Sequence, residues 1–554
     1  MMVRHNAGIV AFLLALAASG LAVFGAQAPA ASPTAGLDSA IERIYGTDEF
    51  SPRSFGQTEW FDGGRLYVAL ERSATARGRD LVAFDTATGA RDTLVPAAAL
   101  TPAGAREPLV IASYAWSADQ SKLLVFTNTR RVWRQNTRGD YWVLDRSSGR
   151  LHKLGGSSPD ATLMFAKFSP DGSRVAWVRE QNIYVEDLGT GAITALTSDG
   201  GGDVINGTSD WVNEEEFGIR DGFRWSPDGR FIAHWRFDTT GVGRFTLLNN
   251  TDTLYPAVTV YPYPKPGTTN SAVSVHIVDV AGGRAVRVAT PGDPRGTYIP
   301  RIEWVDGGTL MLQLMNRLQN RNRVLLASAA TGAVSVAFED RSSTWLDAVD
   351  DEDIEWLEGG TEFTWVSEKD GWRHVYAVAR DGSGERLLTR FDGDSMGIDA
   401  IDTSSGRLYF TASPANATER YLYTSRLDGD GSVRRLTPES QPGTHSYDVS
   451  PDGRWAIHTW SRLEVPPRTE LVSLPDHRTV RTLVDNDELA GRVSSILVPP
   501  AEFVTVDVGD GVTLDGWVLK PRGFDPSSRY PLVVHVYGEP ASTTVNDRWG
   551  GSTL

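Results

Sequence analysis

Between about residues 50 and 495, apolar and polar side chains alternate in short runs, and a tight-turn signal closes each run. Arg174-Val-Ala-Trp-Val178, Phe231-Ile-Ala-His-Trp235 and Trp455-Ala-Ile-His458 follow the period of two that sends successive side chains to opposite faces of a β-strand. Ahead of each stands an aromatic or aliphatic residue and a Ser-Pro-Asp-Gly turn: Phe168 to Gly172, Trp225 to Gly229, Val449 to Gly453. Trp116-Ser-Ala-Asp119 is a degenerate copy. Asp-Gly supplies the positive φ of a tight hairpin, so each copy predicts two antiparallel strands.

A second signature follows most copies: a strand, an Asp, a Gly turn and an apolar strand, as at Asp85 to Leu94, Asp145 to Leu154 and Asp187 to Leu196. Thr331-Gly332, Asp381-Gly382 and Asp428-Gly429 continue the series. The first turns recur every ~50–60 residues, the length of a four-stranded blade with its loops. The pattern predicts an all-β propeller of about seven to eight blades over residues 50–498, a form in which radial repetition protects strand edges.

The flanks read differently. Leu37 to Tyr45 places Leu37, Ile41 and Ile44 at helical spacing, so residues 31–49 should hold a helix whose apolar face docks on another domain. Phe503-Val-Thr-Val506, Gly509-Asp-Gly511 and Val512 to Leu519 predict a hairpin. Pro531-Leu-Val-Val-His-Val-Tyr537 is a continuous apolar run of the kind buried on both faces, which needs parallel neighbours and covering helices. Residues 499–554 are therefore expected to open an α/β domain left incomplete at Leu554.

Composition narrows the function. A net charge of −16 offers no basic stripe for phosphates, which argues against a nucleic-acid partner. With no cysteine among 554 residues, disulfides, a thiol nucleophile and zinc–thiolate sites are excluded. No metal-binding helix, P-loop or dinucleotide fingerprint is present, so neither metal nor cofactor is expected. Residues 1–30 read as an export signal: Arg4 and His5, the uncharged Gly8 to Phe24, then the small-x-small site Ala28-Pro29-Ala30. The expected location is periplasmic or extracellular; an uncleaved signal would instead anchor the chain in the membrane.

Candidate chemistry centres on Asp210-Trp-Val-Asn-Glu-Glu-Glu-Phe217, read as a loop before the Trp225 turn. Neighbouring carboxylates repel and raise one another's pKa unless a cation joins them. An α-ammonium, with one charge and three N–H donors, is a natural guest; a solvated acidic turn is the plain alternative. The run resembles the double-Glu motif of the dipeptidyl peptidase IV family, with Asn213 where that family often has Tyr. Tyr261-Pro-Tyr-Pro-Lys-Pro-Gly267, Val132-Trp-Arg-Gln135 and Asp370-Gly-Trp-Arg-His374 are also similar to family segments. Tyr530-Pro-Leu-Val-Val-His-Val-Tyr-Gly-Glu-Pro540 resembles the early hydrolase strand of prolyl oligopeptidase relatives.

The resemblance implies an α/β-hydrolase domain beginning at 499–554 and a serine exopeptidase that releases N-terminal dipeptides, favouring X-Pro and X-Ala. It assigns Glu215 and Glu216 to the N-terminus of a peptide substrate, Arg134 to a substrate carbonyl and Tyr537 to the oxyanion. It also implies a homodimer formed through a complete hydrolase domain. Losing one carboxylate of a buried pair would cost about 2–5 kcal/mol of binding. The family's aromatic-Arg pair has no clear counterpart near Trp345-Leu-Asp-Ala348.

Hydrolysis on this fold needs a Ser on a strand-to-helix elbow, followed by Asp and His. Gly393-Asp-Ser-Met-Gly397 matches the elbow pattern, but strand and turn signals surround it, so Ser395 reads as a blade residue. Nucleophile, catalytic Asp and catalytic His are therefore expected to be absent, and the chain inactive as it stands. The alternatives are a non-catalytic peptide- or protein-binding propeller, an inactive homologue, or a truncated gene. The apolar run at 531–537 should make the chain poorly soluble. Ending it near residue 500 should raise the monomer yield on size-exclusion chromatography; equal yields would count against this reading.

Overall fold

The computed structural model describes residues 35–357, 359–496, 500–538 and 543–550; the export signal at 1–30 lies outside them. The described residues fall into two compact units, residues 35–51 and residues 52–550. In the first, Ala35–Tyr45 is helical, with Asp38 in its first turn and Arg43 in its last, the signs that complement the helix dipole. Arg43 Nε donates to Glu49 Oε2 at 2.9 Å, and Leu37 and Ile41 are exposed.

The second unit is the propeller. Among the described residues, eight antiparallel blades follow one another along the chain, at residues 58–95, 113–153, 163–195, 204–287, 297–341, 356–387, 395–435 and 444–484; six have four strands, and blades 4 and 5 have five because the first strand comes in two pieces. Blades 2 and 3 are also joined where the third strand of blade 2 pairs with the first strand of blade 3, through Arg138↔Met164 and Gly139↔Leu163. In blade 4 the first strand is split: Val204–Asn206 and Phe223–Trp225 both pair with Phe231–Asp238. The interruption carries an excursion over 207–222.

The turn motif works through its serine. Ser169 Oγ donates to Asp171 Oδ1 at 2.6 Å and accepts the Arg174 N–H at 3.0 Å, while Gly172 takes φ 65°. Ser226, Ser450 and Ser117 repeat the pairing with Asp228, Asp452 and Asp119, each at 2.6 Å. In the degenerate copy Gln120 adopts the glycine conformation at φ 59°. The Ser169 hydroxyl holds the Asp171 carboxyl down to about 2, so the turn is locked at ordinary pH.

Apolar clusters bind each blade to its neighbours. Val68 and Leu81 of blade 1 meet Leu123 and Val125 of blade 2, and Phe126 and Tyr141 of blade 2 meet Val175 and Trp177 of blade 3. The series runs through blades 3 and 4, 4 and 5, 5 to 7, and 7 and 8. Tyr67 of blade 1 then packs with Ile457 and Leu471 of blade 8, so the ring closes. No strand is shared across this seam among the described residues. Side chains latch it instead. Trp60 Nε1 donates to Asp448 Oδ1 at 2.8 Å. The Asn486 amide accepts from Arg53 N and donates to Arg53 O, both at 2.9 Å, in place of a strand partner.

Beyond the ring, Glu502–Gly509 and Val512–Val518 form the expected hairpin. The buried strand expected over Pro531 to Tyr537 does not form: residues 531–538 are unpaired, and Leu532, Val533 and Val536 are exposed. A strand exists by hydrogen-bonding to a neighbour, and no described strand lies alongside this one. Residues 543–550 return to the propeller. Asp547 is buried there, accepting from Leu463 N at 2.8 Å and Arg462 Nε at 2.9 Å.

Two blade carboxyls make stability depend on pH. Burial pushes Glu59 up from 4.5 to about 7, and burial pushes Asp399 from 3.8 to about 7 against a hydrogen bond from Thr411. Both folded values lie above the unfolded ones, so their contribution is complete below about pH 4 and is lost as pH rises through about 7. Thermal melts of the Glu59→Gln, Asp399→Asn double variant should show a flatter decline between pH 5 and 8 than the parent. Parallel profiles would contradict the assignment.

Candidate functional site

The excursion from blade 4 is pinched at its neck, where Gly222 N donates to Gly207 O at 3.0 Å. A Cβ on Gly222 would stand 2.6 Å from the Gly207 carbonyl carbon, so only glycine lets the two chains pass this closely. Above the neck, residues Trp211–Phe217 form a short α-helix. This corrects the loop expected from sequence. Asp210 caps the helix, accepting Asn213 N at 3.0 Å, and Gly218 ends it in the left-handed region at φ 66°. The sequence does carry signals for it, an Asp cap and a Gly stop eight residues apart on either side of the charge run.

Asp210 is buried, and its second oxygen accepts from the Ser271 hydroxyl, tying the cap to the residue just ahead of the third strand of blade 4, Ala272–Asp279. Asn213 is also buried and donates from Nδ2 to Asp210 Oδ1 at 2.8 Å. Phe217 enters the core shared by blades 4 and 5, with its ring 5.1 Å from Tyr298. Arg301 Nη1 donates to the Phe217 carbonyl at 2.6 Å. The helix is thus fixed at both ends, and the three acids are left on its outer turns.

Their environments differ. Glu214 is the least exposed and faces Arg220 at 3.3 Å. Burial raises its pKa, Arg220 opposes the rise, and Glu215 adds to it. Glu215 pairs with Arg134 at 2.7 Å. Glu216 is exposed and has no hydrogen bond or ion pair among the described residues. Arg134 arrives from blade 2, whose strands Lys122–Val132 and Gln135–Asp145 are joined at Val132↔Gln135 with only Trp133 and Arg134 between. Of the residues expected from sequence, the fold brings Arg134 and Glu215 into contact, while Glu216, the next residue of the helix, lines neither of the cavities described below. Sequence reasoning did not foresee the Glu214–Arg220 pair, because that contact depends on the chain turning back after Gly218.

Aromatic rings wall the site. Trp211 lies 4.5 Å from Tyr263, and Trp133 lies 4.9 Å from Tyr261, centroid to centroid. A cavity of about 260 Å³ is lined by Trp133, Arg134, Trp211, Glu214, Glu215 and Arg220. A second, of about 400 Å³, shares Trp133, Trp211, Glu214 and Arg220 with it. Among the described residues, no cluster of three or more His, Asp or Glu is placed to hold a metal.

Residues 117–467 match the family described as the dipeptidyl peptidase IV (DPP IV) N-terminal region. The chain belongs to the dipeptidyl peptidase IV family. It is similar to dipeptidyl peptidase 4 of Trichophyton rubrum, 27% identical over 454 residues, and of Trichophyton tonsurans, 28% over 451. These alignments take in 79% of this chain and 57% of each relative. The chain thus spans little more than half the length of these relatives. The crystal structure of Porphyromonas gingivalis dipeptidyl peptidase 4 superposes with a TM-score of 0.84 at 29% identity, covering 92% of this chain and 71% of that one.

Other candidates fall outside this cluster. Tyr537 is exposed, and no hydrogen bond joins it to the acids or to any described residue. Ser395 is the fully buried first residue of strand Ser395–Asp402 and donates to Arg373 O at 3.0 Å, as a blade residue should. Ser274 Oγ lies 3.2 Å from His276 Nε2, but both sit two residues apart on one strand, with no carboxylate bonded to that ring among the described residues. Trp345 is exposed, and its Nε1 donates to Asp347 Oδ1 at 2.9 Å. No helix among the described residues is long and apolar enough to cross a membrane.

Asp210 holds the site helix by cap and cross-link together. Asp210→Ala should lower the free energy of unfolding by about 1–3 kcal/mol, read from chemical denaturation. Ser271→Ala should cost less, since the cap survives it. An Asp210→Ala protein as stable as the parent would refute the role.

Proposed function

We propose that this chain is the substrate-recognition part of an exported serine-type dipeptidyl peptidase, holding peptides by their free N-terminus. The unequal pairing of the acids carries this reading: Arg134 balances Glu215 at 2.7 Å, whereas Glu216 beside it has no partner among the described residues. An α-ammonium can satisfy Glu216 and share Glu215 with Arg134, using three donors for one charge. An amine held on a rigid helix fixes how far along the peptide the scissile bond falls, so counting residues becomes a matter of distance. Arg134, once partly released from Glu215, can turn a donor toward a substrate carbonyl. The names of the Trichophyton relatives and of the P. gingivalis structure support the dipeptidyl peptidase reading.

Finer points rest on the family resemblance. They are the preference for Pro or Ala at the second position, the start of a hydrolase domain at 499–554, and pairing of two copies through the complete form of that domain. Tyr537 belongs with them: its O–H would donate to the charge developing on the attacked carbonyl. No Ser, Asp or His of this chain is assigned to bond cleavage.

Both carboxylates are exposed, so removing one does not strand a buried charge. The cost per acid falls to about 1–2 kcal/mol, roughly a 5- to 30-fold loss of affinity, below the figure expected for a buried pair. Calorimetric titration with Ala-Pro-amide should show that loss for Glu216→Gln and for Glu215→Gln. N-acetyl-Ala-Pro-amide should bind parent and variants alike, and weakly. Equal affinity of the parent for the free and acetylated amides would defeat the proposal.

A further inference from the structure

Backbone strain gathers around the candidate site. Trp133 is the first of the two loop residues closing the blade 2 hairpin, and its φ is 51°. That conformation is ordinarily filled by glycine or asparagine, and a bulky residue there is an outlier. Phe165, inside strand Leu163–Phe168, has φ 55° and lines the adjoining cavity of about 400 Å³. Glu180 and Gln181 on the same wall also have positive φ, but they form a two-residue hairpin turn that requires it. Phe165 lies inside a strand, where no turn calls for positive φ; at the Trp133 hairpin the turn calls for it, but a bulky indole fills that position against its own sterics. Strained residues of this kind persist where the surroundings impose them and they serve a site.

The indole is placed for use. Trp133 is 39% exposed, tilts against Tyr261 and lines the cavity that also holds Trp211, Glu214 and Glu215. Arg131 Nε donates to the Trp133 carbonyl at 3.0 Å and stiffens the tip. Within that cavity the charges are already matched, Arg134 with Glu215 and Arg220 with Glu214. The surfaces left to a guest are therefore the indole faces. A space of about 260 Å³ takes one side chain, not a whole peptide.

We propose that Trp133 is a specificity-determining residue, forming with Trp211 a wall that selects an apolar or aromatic side chain on the first residue of the bound peptide. This rests on the amine reading above: with the ammonium on Glu216 and Glu215, the first residue's side chain is the group that reaches this wall. Strain at the hairpin tip is retained because a strain-free glycine or asparagine would leave the wall without a ring.

The test is titration of the whole chain with Phe-Pro-amide and Gly-Pro-amide, alongside thermal melts. The parent should prefer the Phe amide by about tenfold. Trp133→Asn should bring the two affinities within about twofold, while the melting temperature rises by about 1–2 °C as the left-handed position is relaxed. Trp133→Phe should keep most of the preference, which a purely structural role of the tip would not require. An unchanged preference in Trp133→Asn overturns the proposal, as does failure of the parent to bind either amide. A lower melting temperature in Trp133→Asn overturns the claim of strain. If N-acetylation of Phe-Pro-amide leaves parent affinity intact, the amine reading fails; a preference still lost in Trp133→Asn would then keep the aromatic wall.

Discussion

The structure depends on one constraint: every blade has two apolar faces, and each must be covered by the next blade. A four-stranded sheet alone would leave both faces wet, so no blade is stable by itself, and the covering can end only when the ring closes. The clusters running from Val68 and Leu123 around to Tyr67 and Leu471 are that covering. The closing seam has no strand shared between first and last blades among the described residues, so it relies on aromatic packing and a few polar latches such as Trp60 with Asp448. The seam is where the ring's stability is most exposed to single side chains.

A closed ring leaves the loops free. Core packing fixes where each blade stands, and strands that outrun the blade edge can then be spent on a site. Blade 2 extends its central hairpin to present Trp133 and Arg134, and blade 4 interrupts its first strand to present a capped helix. Blade 3 lies between them and sets their separation. The Arg134–Glu215 contact is thus a product of ring geometry, made by residues about eighty positions apart in the chain.

Electrostatics in the site follow from this placement. Three consecutive acids on a free peptide would be three equivalent charges. On the helix they become a pair with Arg220, a pair with Arg134 and one carboxylate left to solvent. The site is nearly neutral before any ligand arrives, which spares it the mutual repulsion of a bare acidic cluster and leaves room for a single positive guest.

By itself the sequence determined the blades, because period-two alternation and Ser-x-Asp turns are local: each turn is closed by a serine hydroxyl that bonds a carboxylate two residues on and a backbone N–H five residues on. It also marked Arg134, Glu215 and Glu216 through their resemblance to known motifs. Periodicity could not count the blades, eight among the described residues, because split strands and excursions blur the repeat. Nor could it say that Asp210 caps a helix against Ser271, that Glu214 is spoken for, or that Pro531 to Tyr537 stays unpaired. Those outcomes depend on contacts between distant segments. An apolar run becomes a strand only if a neighbour offers hydrogen bonds, and how far an acid stays open to a guest depends on the cations that already hold it. Tertiary structure decided both.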